Sequence, residues 1–243
     1  MLPLIVVTLL LCSCISGEAG PAATHPGPDA SLPVKTPGQL TAMPGWVEPF
    51  EYTMLAKSTG ESYVEYPSIM WSGESGWTYD QVRAIDNALL ERALKHVSGL
   101  SHYVRGQCSV KMNEKGIWSI YMMDIREFGG ADVVGAFTFT LDVQKGKVCT
   151  IADLFEDEED RWRRVLPELV TIQAEKMGLT LFADLMPISD EQMFYIRGDS
   201  IVLVYNPYEI ATNSFGECPE FFIPVKQLEE FIPAHSLLSR LLS

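Results

Sequence analysis

Apolar and polar positions follow three different rhythms along this chain, and each change of rhythm marks a boundary. Leu4 to Leu11 is an apolar run interrupted only by Thr8. It matches the core of a secretory signal and is too short for a transmembrane helix, which takes about 20 apolar residues. Residues 15–45 then carry hardly any large apolar side chain and are rich in Pro, Gly, Ala, Ser and Thr. Such a segment cannot bury enough surface to offset the entropy of ordering, and it reads as a semi-extended tether. From Trp46 onward strand and helix periods take over, giving one domain over residues 46–243.

Within that domain, Tyr63, Glu65, Pro67 and Ile69, interleaved with Val64, Tyr66 and Met70, predict a strand that ends in the glycine-broken turn Ser72–Gly76. A helix follows. Thr78 and Gln81 form a capping box, Val82, Ile85, Leu89 and Ala93 share one face, and Ser98-Gly99 is the stop. That face is expected to pack on a sheet. Residues 103–126 predict a hairpin turning at Asn113–Gly116, and residues 133–151 a second one turning at Gln144–Gly146. The acidic run Asp153–Asp160 is expected to crowd a helix N-terminus, where the macrodipole favours anions. The amphipathic stretch behind it, to Met177, is expected to bend or restart at Pro167. Residues 192–205 predict a tight hairpin turning at Arg197-Gly198-Asp199, Asn206–Gly216 an irregular loop, Phe221–Val225 a strand and Val225–Ile232 a terminal helix. The class is α+β, with an antiparallel sheet of meander and hairpins packed by two main helices.

Composition narrows the function. With 47% hydrophobic and 21% charged residues the domain can build a core without disulfides or metals. A net charge of -14 excludes nucleic acid, whose phosphates demand a basic surface, and suits a basic partner as well as simple solubility. Cys108, Cys149 and Cys218 form no framework, although one disulfide among them is open; no Cys/His cluster suggests zinc, and no cofactor is expected. The acidic run lacks the alternating ligands and central Gly of an EF-hand.

Leu11-Cys12-Ser13-Cys14 resembles the bacterial lipobox, which implies a signal over residues 1–14, lipid attachment at Cys14 and an extracytoplasmic place on the membrane; without lipidation the chain is secreted. Further on, Gly146-Lys147, Ile151-Ala152-Asp153-Leu154-Phe155, Tyr208-Glu209-Ile210-Ala211, Gly216 and the ending Ile223–Leu228 occur in succession. Together they resemble the exported, RsiV-like C-terminal domain of the sigma-V anti-sigma factors, over roughly residues 60 to 235. The resemblance implies a receptor for animal-type lysozyme; other relatives are non-catalytic modules beside cell-wall polysaccharide deacetylases. No sigma-binding segment or transmembrane helix is read before the tether, so direct sigma-factor control is not implied.

By that resemblance the loop holding Asn206, Pro207, Tyr208 and Glu209 is the candidate ligand-binding site, with lysozyme or peptidoglycan as partner. A tyrosine at a loop tip offers much contact area at little entropic cost, and Glu209 or Glu217 is a carboxylate that could enter a partner's cleft. The alternatives are a glycan-active enzyme or a carbohydrate-binding accessory module. Asp190, Glu191, Glu209, Glu217 and Glu220 are candidate acids, but no catalytic constellation is recognised among them, and GxSxG, HExxH and a phosphate loop are absent. Trp71 and Trp77 are the tryptophans expected to be exposed; Trp118 and Trp162 are expected in the core.

Overall fold

The computed structural model describes residues 51–242 apart from 60–61, 72–77, 99–103, 129–130, 184 and 213–216. The signal over 1–14, with Cys14, and the tether over 15–45 lie outside the described residues.

Six strands form a first sheet in the order β1 (Tyr52–Thr59), β2 (Ser62–Ile69), β3 (Val104–Glu114), β4 (Ile117–Phe128), β5 (Ala131–Asp142) and β6 (Lys147–Val148). All neighbours are antiparallel except β2 and β3, which run parallel because helix α1 (Tyr79–Ser98) returns the chain to the same end of the sheet. A second, antiparallel sheet holds β7 (Phe194–Arg197), β8 (Ser200–Val204) and β9 (Glu220–Pro224). The α+β class and the two main helices are as expected; the split into two sheets and the parallel pair are not hairpin products.

The capping box that starts α1 is reciprocal. Thr78 N–H donates to Gln81 Oε1 at 2.8 Å, and Gln81 N–H donates to Thr78 Oγ1 at 3.3 Å. Val82, Ile85 and Leu89 are buried against Trp118, Ile120, Phe139 and Leu141 of β4 and β5, and Ala93 meets Val64, Val104 and Met122. Each such aliphatic side chain contributes about 1.5–3 kcal/mol.

The opposite face of β4 and β5 receives the second sheet. Its edge strand β7 would bury two outward N–H groups with no ladder partner, a costly arrangement. Hydroxyls of the first sheet accept them: Ser119 Oγ takes Ile196 N–H at 2.9 Å, and Thr138 Oγ1 takes Phe194 N–H at 3.1 Å. Ser119 Oγ also shares a 2.7 Å bond with Thr140 Oγ1.

Helix α2 (Trp162–Lys176) lays Trp162, Leu166, Val170 and Ala174 into the core that the second sheet forms with Ile196, Ile201, Leu203, Phe221 and Ile223. It runs through Pro167 without restarting, so of the expected bend or restart the restart does not occur. Pro167 has no N–H for the Arg163 carbonyl four residues back; Ile188 N–H supplies it at 2.9 Å, and Arg163 Nη1 donates to Ile188 O at 2.8 Å. The acidic run lies ahead of α2 rather than in its first turn, which holds no acid, and the Asp157 carboxylate accepts the N–H of the N-cap residue Arg161 at 2.6 Å. Asp153 instead caps a 3-10 helix (Ile151–Leu154), accepting the Thr150 N–H at 2.9 Å and Lys147 Nζ at 2.6 Å. Asp157 holds Arg161. The expected terminal helix is a 3-10 helix over Val225–Phe231, followed by another over Leu237–Leu241, and β6 stops at Val148 where Ile151 was expected.

Gly178 ends α2. At φ +72° it lets Gly178 N–H reach Glu175 O at 3.1 Å and Leu179 N–H reach Ala174 O at 2.9 Å, the paired bonds of a Schellman stop. The chain then doubles back along the helix.

Candidate functional site

The loop after β8 begins where the buried Tyr205 leaves the sheet. Asn206 is its frame: the side-chain Oδ1 accepts Ala136 N–H of β5 at 3.3 Å, the backbone N–H donates to Glu209 Oε2 at 2.7 Å, and its carbonyl accepts Glu209 N–H at 3.1 Å. Asn206 Nδ2 also donates to Glu209 Oε2 at 3.3 Å. The Glu209 carboxylate therefore turns back into the loop. Its charge sits near enough to Tyr205 to add to burial in pushing that phenol above its usual value.

Inside this frame Tyr208 takes φ +60°, a left-handed backbone that costs a non-glycine residue roughly 1–2 kcal/mol, and its side chain is 57% exposed. Pro207 beside it is half-buried. Ile210 and Ala211 point inward and are buried. The four motif residues thus divide into an outer pair, Tyr208 and Glu209, and an inner pair that anchors them. Strain held by surrounding structure is characteristic of recognition loops.

A second segment supports the loop. Leu181 bridges Ala211, Phe182 N–H donates to Ile210 O at 3.0 Å, and Thr212 N–H donates to Thr180 O at 3.2 Å. Between this short ladder and α2 lies a groove of about 330 Å³ lined by Thr171, Glu175, Leu181 and Ala183. Phe182 and Met186, 57% and 80% exposed, stand in the same segment. None of these was singled out from the sequence; the signal available was Leu179, Leu181, Phe182, Leu185 and Met186 crowded into a stretch with no helix or strand period.

The other candidate acids do not converge on the loop. Asp190 pairs with Arg163, Glu220 accepts the Tyr195 hydroxyl at 2.5 Å, and Glu191 and Glu217 are exposed. Arg197-Gly198-Asp199 is a turn, with Gly198 at φ +58° and Asp199 O accepting Val225 N–H at 2.9 Å. Trp71 is exposed, Trp118 and Trp162 are buried, and Trp77 lies outside the described residues. Cys108, Cys149 and Cys218 are free thiols. Among the described residues no three His, Cys, Asp or Glu side chains are grouped to hold a metal, and no helix is long and apolar enough to cross a membrane.

No curated protein matches the chain. Two solved structures share its fold: the crystal structure of a DUF3298 family protein from Pseudomonas aeruginosa PAO1, and that of a DUF3298 family member from Bacteroides fragilis NCTC 9343. The first is 19% identical, with 76% of this chain and 95% of that one covered at a TM-score of 0.50. The second is 15% identical, with 84% and 99% covered at a TM-score of 0.53. At residues 152–226, which hold α2, the whole second sheet and the Tyr208 loop, the chain matches the family model described as "Protein of unknown function (DUF3298)".

Proposed function

We propose that this protein is an exported binding module of the bacterial envelope, held at the membrane by a lipid on Cys14, which captures a basic envelope-active protein of the lysozyme type through the loop Asn206–Ala211. The presentation of Tyr208 carries the reading: a large, exposed aromatic side chain is held in a strained backbone by a loop whose own polar groups are spent on its frame. Such an anchor loses little entropy on docking. The resemblance to the exported domain of the sigma-V anti-sigma factors points the same way, and the net charge of -14 favours encounter with a basic partner.

Calorimetric titration of the full chain with an animal-type lysozyme, at low salt and at about 0.3 M, tests it, because added salt removes long-range attraction and leaves a docked interface. One-to-one binding that survives salt and is lost in Tyr208→Ala is the expected result. Binding that disappears with salt, or a Tyr208→Ala variant that binds unchanged, refutes the loop as the site. Detergent partition of a Cys14→Ser variant tests the anchor; a variant that still partitions with the membrane removes it from the reading.

A further inference from the structure

Next to the Tyr208 loop the molecule has a concavity that the loop does not use. The Schellman stop at Gly178 sends the chain back along α2, and the bonds from Phe182 to Ile210 and from Thr212 to Thr180 hold the returning segment against the loop. The groove left between them, about 330 Å³, is at the small end of ligand cavities. That is room for one large side chain. Leu181 and Ala183 supply apolar wall, Glu175 a carboxylate on the opposite side, and Phe182 is exposed in the same segment.

Charge decides what kind of molecule fits there. Between Val165 and Val225 the sequence holds nine acidic residues and only two basic ones, Lys176 and Arg197. Half of the chain's net negative charge, 7 of 14, is therefore concentrated in the part that builds the groove. A polyanion is repelled, a neutral sugar gains nothing from the field, and a basic protein surface is drawn in.

We propose that this groove is a socket for an apolar side chain on the surface of a basic protein partner, with Glu175 pairing a Lys or Arg beside that side chain. The proposal rests on the reading of the Tyr208 loop as a protein-binding site and makes the interface bipartite. The loop supplies an outgoing aromatic anchor, and the groove receives an incoming one. Reciprocal anchors of this kind are what central interface contacts consist of.

The test titrates animal-type lysozyme into the full chain and into Ala183→Trp, which fills the groove, and Glu175→Lys, which reverses its charge at an exposed site that does not threaten folding. The expected result is a loss of about tenfold or more in Ala183→Trp with an unchanged melting temperature, and a weaker, salt-sensitive complex in Glu175→Lys. Wild-type affinity in both variants, alongside loss in Tyr208→Ala, overturns the groove and leaves the loop standing. Should Ala183→Trp not fold, Glu175→Lys decides alone. Absence of binding by the wild type overturns the loop reading and the groove with it. Binding of an N-acetylglucosamine oligomer that Ala183→Trp abolishes also overturns the proposal, in favour of a sugar site.

Discussion

Arg240 reaches across 98 positions of chain to hold both carboxylate oxygens of Asp142, at 2.7 and 2.8 Å. Asp142 is buried at the end of β5, and Arg240 comes from the last 3-10 helix. The same guanidinium donates Nη1 to Gly116 O at 3.0 Å, so one side chain ties the C-terminus to two hairpin ends. Removing one member of a buried pair leaves an uncompensated charge, and Arg240→Ala is expected to cost about 3–5 kcal/mol. Urea unfolding measures it; a loss under about 1 kcal/mol would mean that the pair behaves as a surface contact.

Ser119 lies between the two sheets. Ser119→Ala strands the Ile196 N–H and takes a partner from Thr140 while removing almost no volume. The expected destabilisation is about 1–3 kcal/mol. Hydrogen exchange localises it: the Ile196 amide should lose protection more than its neighbours on β8. Uniform loss across both sheets would mean that the hydroxyl does not dock β7.

Asp86 of α1 accepts Ser68 Oγ at 2.6 Å and Ile69 N–H at 3.1 Å, joining the helix to β2. Burial pushes its carboxyl above the ordinary value of 3.8, against the lowering pull of those two bonds and of Arg83. The folded protein therefore keeps this proton to a higher pH than the unfolded chain does. The stabilisation that protonation gives is complete below the unfolded value and is lost as pH rises through the folded one. Asp86→Asn keeps an acceptor for Ile69 and a donor for Ser68 without the charge. Relative to wild type it is expected to gain stability between acid and neutral pH; a difference that stays flat with pH would contradict this.

The three described cysteines should be inert in the native state. Burial, the largest cause at each, pushes the thiols of Cys108 and Cys149 up to about 12 and that of Cys218 to about 11, so almost no thiolate exists at neutral pH. Iodoacetamide at neutral pH is expected to leave all three unmodified in folded protein and to label them in urea, as read by peptide mass. Rapid native labelling of Cys218 would show that the sheets part there.

Much of the fold was legible because its signals are local. Thr78 and Gln81 announced α1 by chemistry that needs three residues, and the hairpin at Lys115-Gly116 follows from a turn beside two alternating runs. What escaped depends on partners far along the chain. Nothing near Pro167 tells that Ile188 will supply the donor it lacks. Strand β1 shows no burial period because its described side chains are exposed on both faces, and its register comes from β2 alone. The candidate loop was found through Tyr208-Glu209-Ile210-Ala211, but the positive φ of Tyr208 was not, since the position carries neither Gly nor Asn. The groove was missed because it is a gap between segments, each unremarkable in its own sequence.

The Arg240–Asp142 pair also bears on when the molecule can become complete. Ribosomes make a chain from its N-terminus, and domains begin to fold as they emerge. The end of β5 then carries a carboxylate destined for burial, with Lys145 near it: the Lys145 N–H donates to Asp142 Oδ1 at 3.2 Å and its Nζ lies 3.9 Å away in the finished protein. The carboxylate's guanidinium partner, Arg240, is made 98 residues later. Closure of the sheet end formed by the β3–β4 and β5–β6 turns therefore waits until Arg240 has been made, and the nascent chain stays loose at that end until then.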